Sequence, residues 1–189
     1  MFANYKITQN GFYILGHNSQ AYKIENQVES WGFEGKESFA SGRGYIWSRS
    51  LPLLQKTLWK GFGPDTYAIY FPQHDVVGKF KAFSNVAKLV DKPHNMYLQI
   101  AINTGLISLG AVLILFAVYF FRSLKIYWKS NFDSWYARAG CGIFAAFIGY
   151  TGAGVFNDSN LSVSPVFWTL LGIGLMVELK LRDVDNCRV

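Results

Sequence analysis

Three stretches beyond residue 92 contain no Asp, Glu, Lys or Arg: Pro93 to Phe121, Ala139 to Asn157, and Ser159 to Val177. Each is long enough to cross a bilayer as a helix, because a hydrocarbon core of roughly 30 Å takes about 20 helical residues. Charge is the discriminating signal, since a Lys, Arg or Asp at the centre of a span costs roughly 2.5 to 3.5 kcal/mol. The sequence therefore predicts an all-α polytopic membrane protein with three transmembrane helices, over residues 96–121, 139–157 and 158–177, the last preceded by a short outer turn. Composition agrees: 51% of the 189 residues are hydrophobic and 16% charged, too apolar for an ordinary soluble domain. In the middle stretch, Gly142 with Ala146 and Ala145 with Gly149 repeat at four-residue spacing, a pattern suited to close helix contact in a bundle.

Orientation follows from the basic residues of the short connections. The link over residues 122–138 carries Arg122, Lys125, Lys129 and Arg138, the turn from Asn157 to Asn160 carries none, and the tail over residues 178–189 carries Lys180, Arg182 and Arg188. Link and tail are thus expected in the cytoplasm, and residues 1–95 form an extracytoplasmic loop region. Its first part is slightly acidic, and residues 38–95 hold eight basic against three acidic residues. That basic excess argues for nucleic acid only in a cytoplasmic segment, so nucleic acid is excluded as a partner. The amino end lacks the basic start and apolar core of a signal peptide, so the chain is expected to be a fragment of a larger bundle or to begin at an internal Met. Two cysteines give neither a disulfide framework nor a metal-ligand spacing.

Within the loop region, Gly11 to Leu15 and Ala21 to Ile24 read as weak strands or loop. From Tyr45 to Trp59, apolar residues recur at three- and four-residue spacing, which predicts an amphipathic helix bent at Pro52 whose apolar stripe rests on the membrane surface. Asp91-Lys92-Pro93-His94-Asn95 lies directly before the first span. Asp91 is the expected cap, Pro93 suits a first helical turn, and His94 sits at a helix amino end. With hydrocarbon beginning near Ile100, a 1.5 Å rise per residue puts His94 roughly 9 Å outside it, at head-group depth. The imidazole is then either an anion or proton-transfer group or an interfacial side chain that meets water. Arg43, flanked by Gly42 and Gly44, offers a planar fork suited to phosphate, with a solvated turn as the alternative. Asp158 lies in the outer turn and reads first as a polar turn residue, able to approach His94 only if the spans pack together. His17 and His74 read as surface imidazoles.

These features, in this order, resemble the carboxyl-terminal part of the O-antigen ligase and O-antigen polymerase superfamily. The resemblance covers about residues 40 to 121. It rests on Gly42-Arg43 with Trp47 four residues on, on the Gly61-Phe62-Gly63 turn, and on His94-Asn95 followed by Gly105. A second glycine expected three positions later is Ser108 here, which points to a polymerase-type member. The resemblance implies metal-independent glycosyl transfer, with no cofactor, at the outer face of a bacterial inner membrane. Its donor is an undecaprenyl-pyrophosphate-linked saccharide and its acceptor a glycan or lipid-linked glycan. Arg43 and His94 are then the catalytic candidates, the first meeting the pyrophosphate and the second serving as base for, or positioner of, the acceptor hydroxyl. Asn95, Arg49, Trp47, Tyr97 and Lys60 are candidate substrate-binding residues. The competing reading is a truncated membrane protein or accessory subunit without chemistry of its own, presenting a basic ectodomain to a partner such as the missing helices of the same family.

Overall fold

In a computed structural model, the described residues are 5–8, 11–15, 20–24 and 28–186; His17 and Arg188 lie outside them. The chain forms two compact units: Met1–Lys56 with Pro64–Pro93, and Thr57–Gly63 with His94–Val189.

The first unit corrects the all-α expectation. Strands β1 (Tyr5–Thr8), β2 (Gly11–Leu15) and β3 (Ala21–Ile24) form an antiparallel sheet in the order β1-β2-β3. Short runs rich in Tyr, Ile, Phe and Thr suit a pleated ribbon better than a helix. Helix α1 (Phe39–Ser50) follows, kinked where Ala40, Ser41 and Gly42 all have positive φ, and the chain then tightens into a 3-10 helix at Leu51–Thr57. Pro52 accounts for the change, because its ring cannot continue an α-helical ladder. Of the expected apolar stripe, Ile46 is buried, Trp47, Leu51 and Leu54 are half-buried, and Leu58 is exposed. Tyr45 and Ile46 are buried, and Tyr45 packs edge-on against Phe71 and Phe83. These aromatics come from the turn after α2 (Tyr67–Tyr70) and from α3 (Val76–Phe83).

The second unit is helical: α4 (Met96–Thr104), α5 (Leu106–Trp128), α6 (Trp135–Ala153) and α7 (Ser164–Asn186). The stretch read as one span over 96–121 is two helices, because Gly105 adopts φ 107° and ends α4. The long apolar helix therefore starts at Leu106. Among the described residues two helices are long and apolar enough to cross a membrane, Leu106–Trp128 and Ser164–Arg182. The middle helix is not one of them, since Arg138, four glycines and its tyrosines dilute an otherwise apolar run. The last helix keeps Pro165 in its first turn, as expected, but runs on beyond Val177 through what read as a tail.

Aromatic packing joins α5, α6 and α7. Phe116 and Tyr119 meet Phe147 edge-on, Phe147 stacks on Phe167, and Tyr150 stacks on Phe167 with centroids 4.1 Å apart. Where lipid tails are as apolar as the side chains, such close packing is what holds helices together. The predicted small-residue face is not the seam: Gly142, Ala145, Ala146 and Gly149 are exposed. Contact runs instead through Gly140, which makes room for the Tyr127 hydroxyl, and Gly174, which makes room for that of Tyr119.

Candidate functional site

The start of α4 is fastened to the end of α6 by consecutive residues. His94 Nδ1 lies 2.8 Å from Asp158 Oδ2. Asn95 Nδ2 donates to the Val155 carbonyl at 2.9 Å, the Met96 amide donates to the Gly154 carbonyl at 2.8 Å, and the Tyr97 hydroxyl donates to the Thr151 carbonyl at 2.7 Å. Gln99 Oε1 accepts from the Ser159 amide at 2.7 Å, which holds the turn carrying Asp158. His94 itself adopts φ 49°, a left-handed conformation in which histidine is enriched among non-glycine residues. The imidazole keeps 42% of its side-chain surface exposed while the Asp158 side chain keeps 12%. One ring nitrogen is thus held by a carboxylate and the ring remains reachable.

The cap differs from the expected one. Asn95, extended at φ −159°, accepts from the Leu98 amide through its side chain, and such a cap contributes about 1 kcal/mol. Asp91 is exposed and lies outside the helix. Pro93 explains the offset, because the residue before a proline avoids helical geometry.

At the other end of α4, Gly61-Phe62-Gly63 closes against the helix. The amides of Phe62 and Gly63 donate to the carbonyls of Ile102 and Asn103 at 2.9 and 3.0 Å. A helix that stops leaves its last carbonyls without partners, and the turn supplies two donors. A side chain at Gly61 would overlap the Asn103 backbone, and one at Gly105 would approach Gly61 N at 3.2 Å. The two glycine motifs are therefore one joint. Lys60, exposed, flanks it.

In the first unit, Arg43 Nη1 donates to the Ala40 carbonyl at 2.9 Å, closing the kink. The glycines beside it have packing reasons: a Cβ on Gly42 would strike the Phe83 ring, and one on Gly44 the Lys36 carbonyl. Trp47 Nε1 donates to the Pro93 carbonyl at 2.9 Å, and its ring meets Phe33 and Phe39 edge-on. Arg49 is buried, with Nε 2.9 Å from Asp75 Oδ2 and its guanidinium over the Tyr45 ring. Asp75 also caps α3 by accepting from Gly78. Burial, then the Asp75 charge, push the Tyr45 hydroxyl well above its ordinary titration range, with the Arg49 charge opposing. Burial lowers Lys79, and Asp75 opposes that shift. His94, Asn95, Tyr97 and Lys60 thus belong to one unit, and Arg43, Trp47 and Arg49 to the other.

A family model described as O-antigen ligase matches residues 5–115, more than half of the 189-residue chain. The chain belongs to the O-antigen ligase family. The matched region includes Arg43, the Gly61-Phe62-Gly63 turn, His94 and Gly105, so the resemblance drawn from those residues holds. No curated protein and no solved structure matches the chain. Members of the O-antigen ligase family are membrane proteins of polysaccharide biosynthesis, acting on lipid-linked saccharides and glycan acceptors, and the two apolar helices fit that location.

Asp158 lies outside the matched residues, and of its two readings, polar turn residue or partner of His94, the structure shows the contact with His94. One signal pointed to it: it is the lone charged residue between two charge-free stretches. Glu178, the first residue of the expected tail, is instead fully buried and accepts from Ser123.

Proposed function

We propose that this O-antigen ligase family member carries the acceptor-activating part of a polymerase-type glycosyl transfer at the outer face of a bacterial inner membrane. His94 takes the proton of the acceptor hydroxyl or aligns it, and Asp158 orients the imidazole and stabilises it once charged. Arg43 meets the pyrophosphate of an undecaprenyl-linked donor, whose departure needs its developing charge matched by fixed cations. Asn95 and Tyr97 hold the α4 start in place, while Trp47 and Lys60 supply sugar contacts. Arg49, by its burial against Asp75, serves the loop region as a structural ion pair.

The observation that carries this reading is the 2.8 Å contact between His94 and Asp158. A general base is recognised by such geometry: a reachable imidazole whose second nitrogen is held by a carboxylate. The same contact supports three crossings. Helices α5 and α6 both lie between His94 and Asp158 in the chain, so if α5 crosses, α6 must cross back for the two side chains to meet.

The test replaces His94 with Ala and Arg43 with Ala in the cellular setting and follows polymer length on lipid carriers. Loss of polymer by about a hundredfold or more is expected for His94→Ala. Unchanged polymer from both variants would refute the assigned roles.

A further inference from the structure

A cavity of about 630 Å³ at the far end of the three-helix unit is lined by Arg122, Lys125 and Lys129 from α5 and by Lys180 and Arg182 from α7, with Asp133 as the acidic residue among its described lining. Even when Glu178, paired with Arg122, and Asp183 and Asp185, the next acids in the sequence, are counted with Asp133, basic residues outnumber acidic ones five to four. Among the described residues, none of Lys125, Lys129, Lys180 and Arg182 makes an ion pair. Arg122 turns inward: its Nε lies 3.2 Å from Glu178 Oε2, while its Nη2 is buried without a hydrogen-bond partner. Cations on two packed helices that converge on one hollow repel each other unless an anion sits between them.

The surroundings fix the depth. Trp128, Trp135 and Tyr136 are exposed at this same end, and Tyr136 lines the cavity. Exposed Trp and Tyr gather where hydrocarbon gives way to head groups. A hollow at that depth, with several Lys point charges and Arg forks, matches a phosphodiester carried by a lipid better than a soluble metabolite.

We propose that this cavity binds the head group of an anionic phospholipid, which bridges the ends of α5 and α7. The lipid phosphate is met by Lys125, Lys129 and Lys180 at the rim, while Arg122 is turned inward to Glu178. This site uses the membrane placement of α5 to α7 and none of the residues assigned to glycosyl transfer.

The full chain is purified in neutral detergent, and retention of dioleoyl phosphatidylglycerol is compared with that of dioleoyl phosphatidylcholine by native mass spectrometry and by the shift in Tm. Preferential retention of one phosphatidylglycerol with a raised Tm is expected. The combined variant Lys125→Gln, Lys129→Gln, Lys180→Gln weakens that retention about tenfold or more. A matched variant, Lys81→Gln, Lys88→Gln, Lys92→Gln, removes as many charges elsewhere and leaves it intact. Equal retention of the two lipids, or equal weakening in both triple variants, overturns the proposal. Displacement of phosphatidylglycerol by inorganic phosphate at comparable concentration overturns it too, since the ligand is then a soluble anion. His94→Ala leaves lipid retention unchanged, so this inference and the glycosyl-transfer reading fail separately.

Discussion

His94 gathers several small effects into one arrangement. Its left-handed backbone turns the chain after Pro93, the Asn95 cap starts the helix behind it, and Asp158 holds one ring nitrogen. Asp158→Asn keeps the shape but removes the charge that stabilises an imidazolium, so polymer formation is expected to fall about tenfold or more, with Tm within a few degrees of the parent. Equal polymer in parent and variant would remove Asp158 from the mechanism. Tyr45 gives a separate test of the buried network around Arg49 and Asp75. Its hydroxyl titrates above the ordinary value of 10.0 in the folded state, chiefly through burial. The folded state therefore holds that proton more tightly, and the resulting stability is complete below about pH 10 and is lost as pH climbs from there towards the folded value. Tyr45→Phe removes the titrating group together with the hydroxyl's interaction with Asp75, a change expected to cost about 1 kcal/mol at neutral pH. Melting curves between about pH 8 and pH 11 should fall more steeply for the parent than for the variant.

At the level of elements, the decisive feature is the joint between α4, α5 and the Gly61-Phe62-Gly63 turn. Gly105 permits the break, and the turn satisfies carbonyls that the break exposes. Gly61→Ala would drive a methyl group into the Asn103 backbone, which cannot swing aside as a flexible side chain can. A loss of about 2 kcal/mol or more is expected, read as a lower Tm of the purified chain. An unchanged Tm would mean that the joint opens at little cost. The same joint divides the charge-free run after Pro93 into two helices at Gly105. Absence of charge marks what lipid tolerates, but a left-handed glycine decides where one helix stops and the next begins.

For the whole molecule, sidedness ties the pieces to function. Reporters that are active only outside the cytoplasm, fused at Lys36 or Asn160, are expected to score, and one at Ser130 to be silent. A silent Asn160 fusion would mean that α6 does not cross, and the three-span reading would fall with it. Helical character from residue 96 onward, membrane affinity and family membership were all legible in the chain, because charge distribution and local motifs such as Gly42-Arg43 and His94-Asn95 are written along it. The strands at Gly11–Leu15 and Ala21–Ile24 were weakly legible, since four- and five-residue runs carry little periodic signal. The pairing of His94 with Asp158 across 64 positions, the burial of Glu178 beside Ser123, and the choice of Gly140 and Gly174 over Gly142 and Gly149 as the packing seam were decided only in three dimensions. Each depends on how helices rotate about their axes and dock, and that rotation is set by aromatic interlock among α5, α6 and α7 rather than by any local preference of the residues concerned.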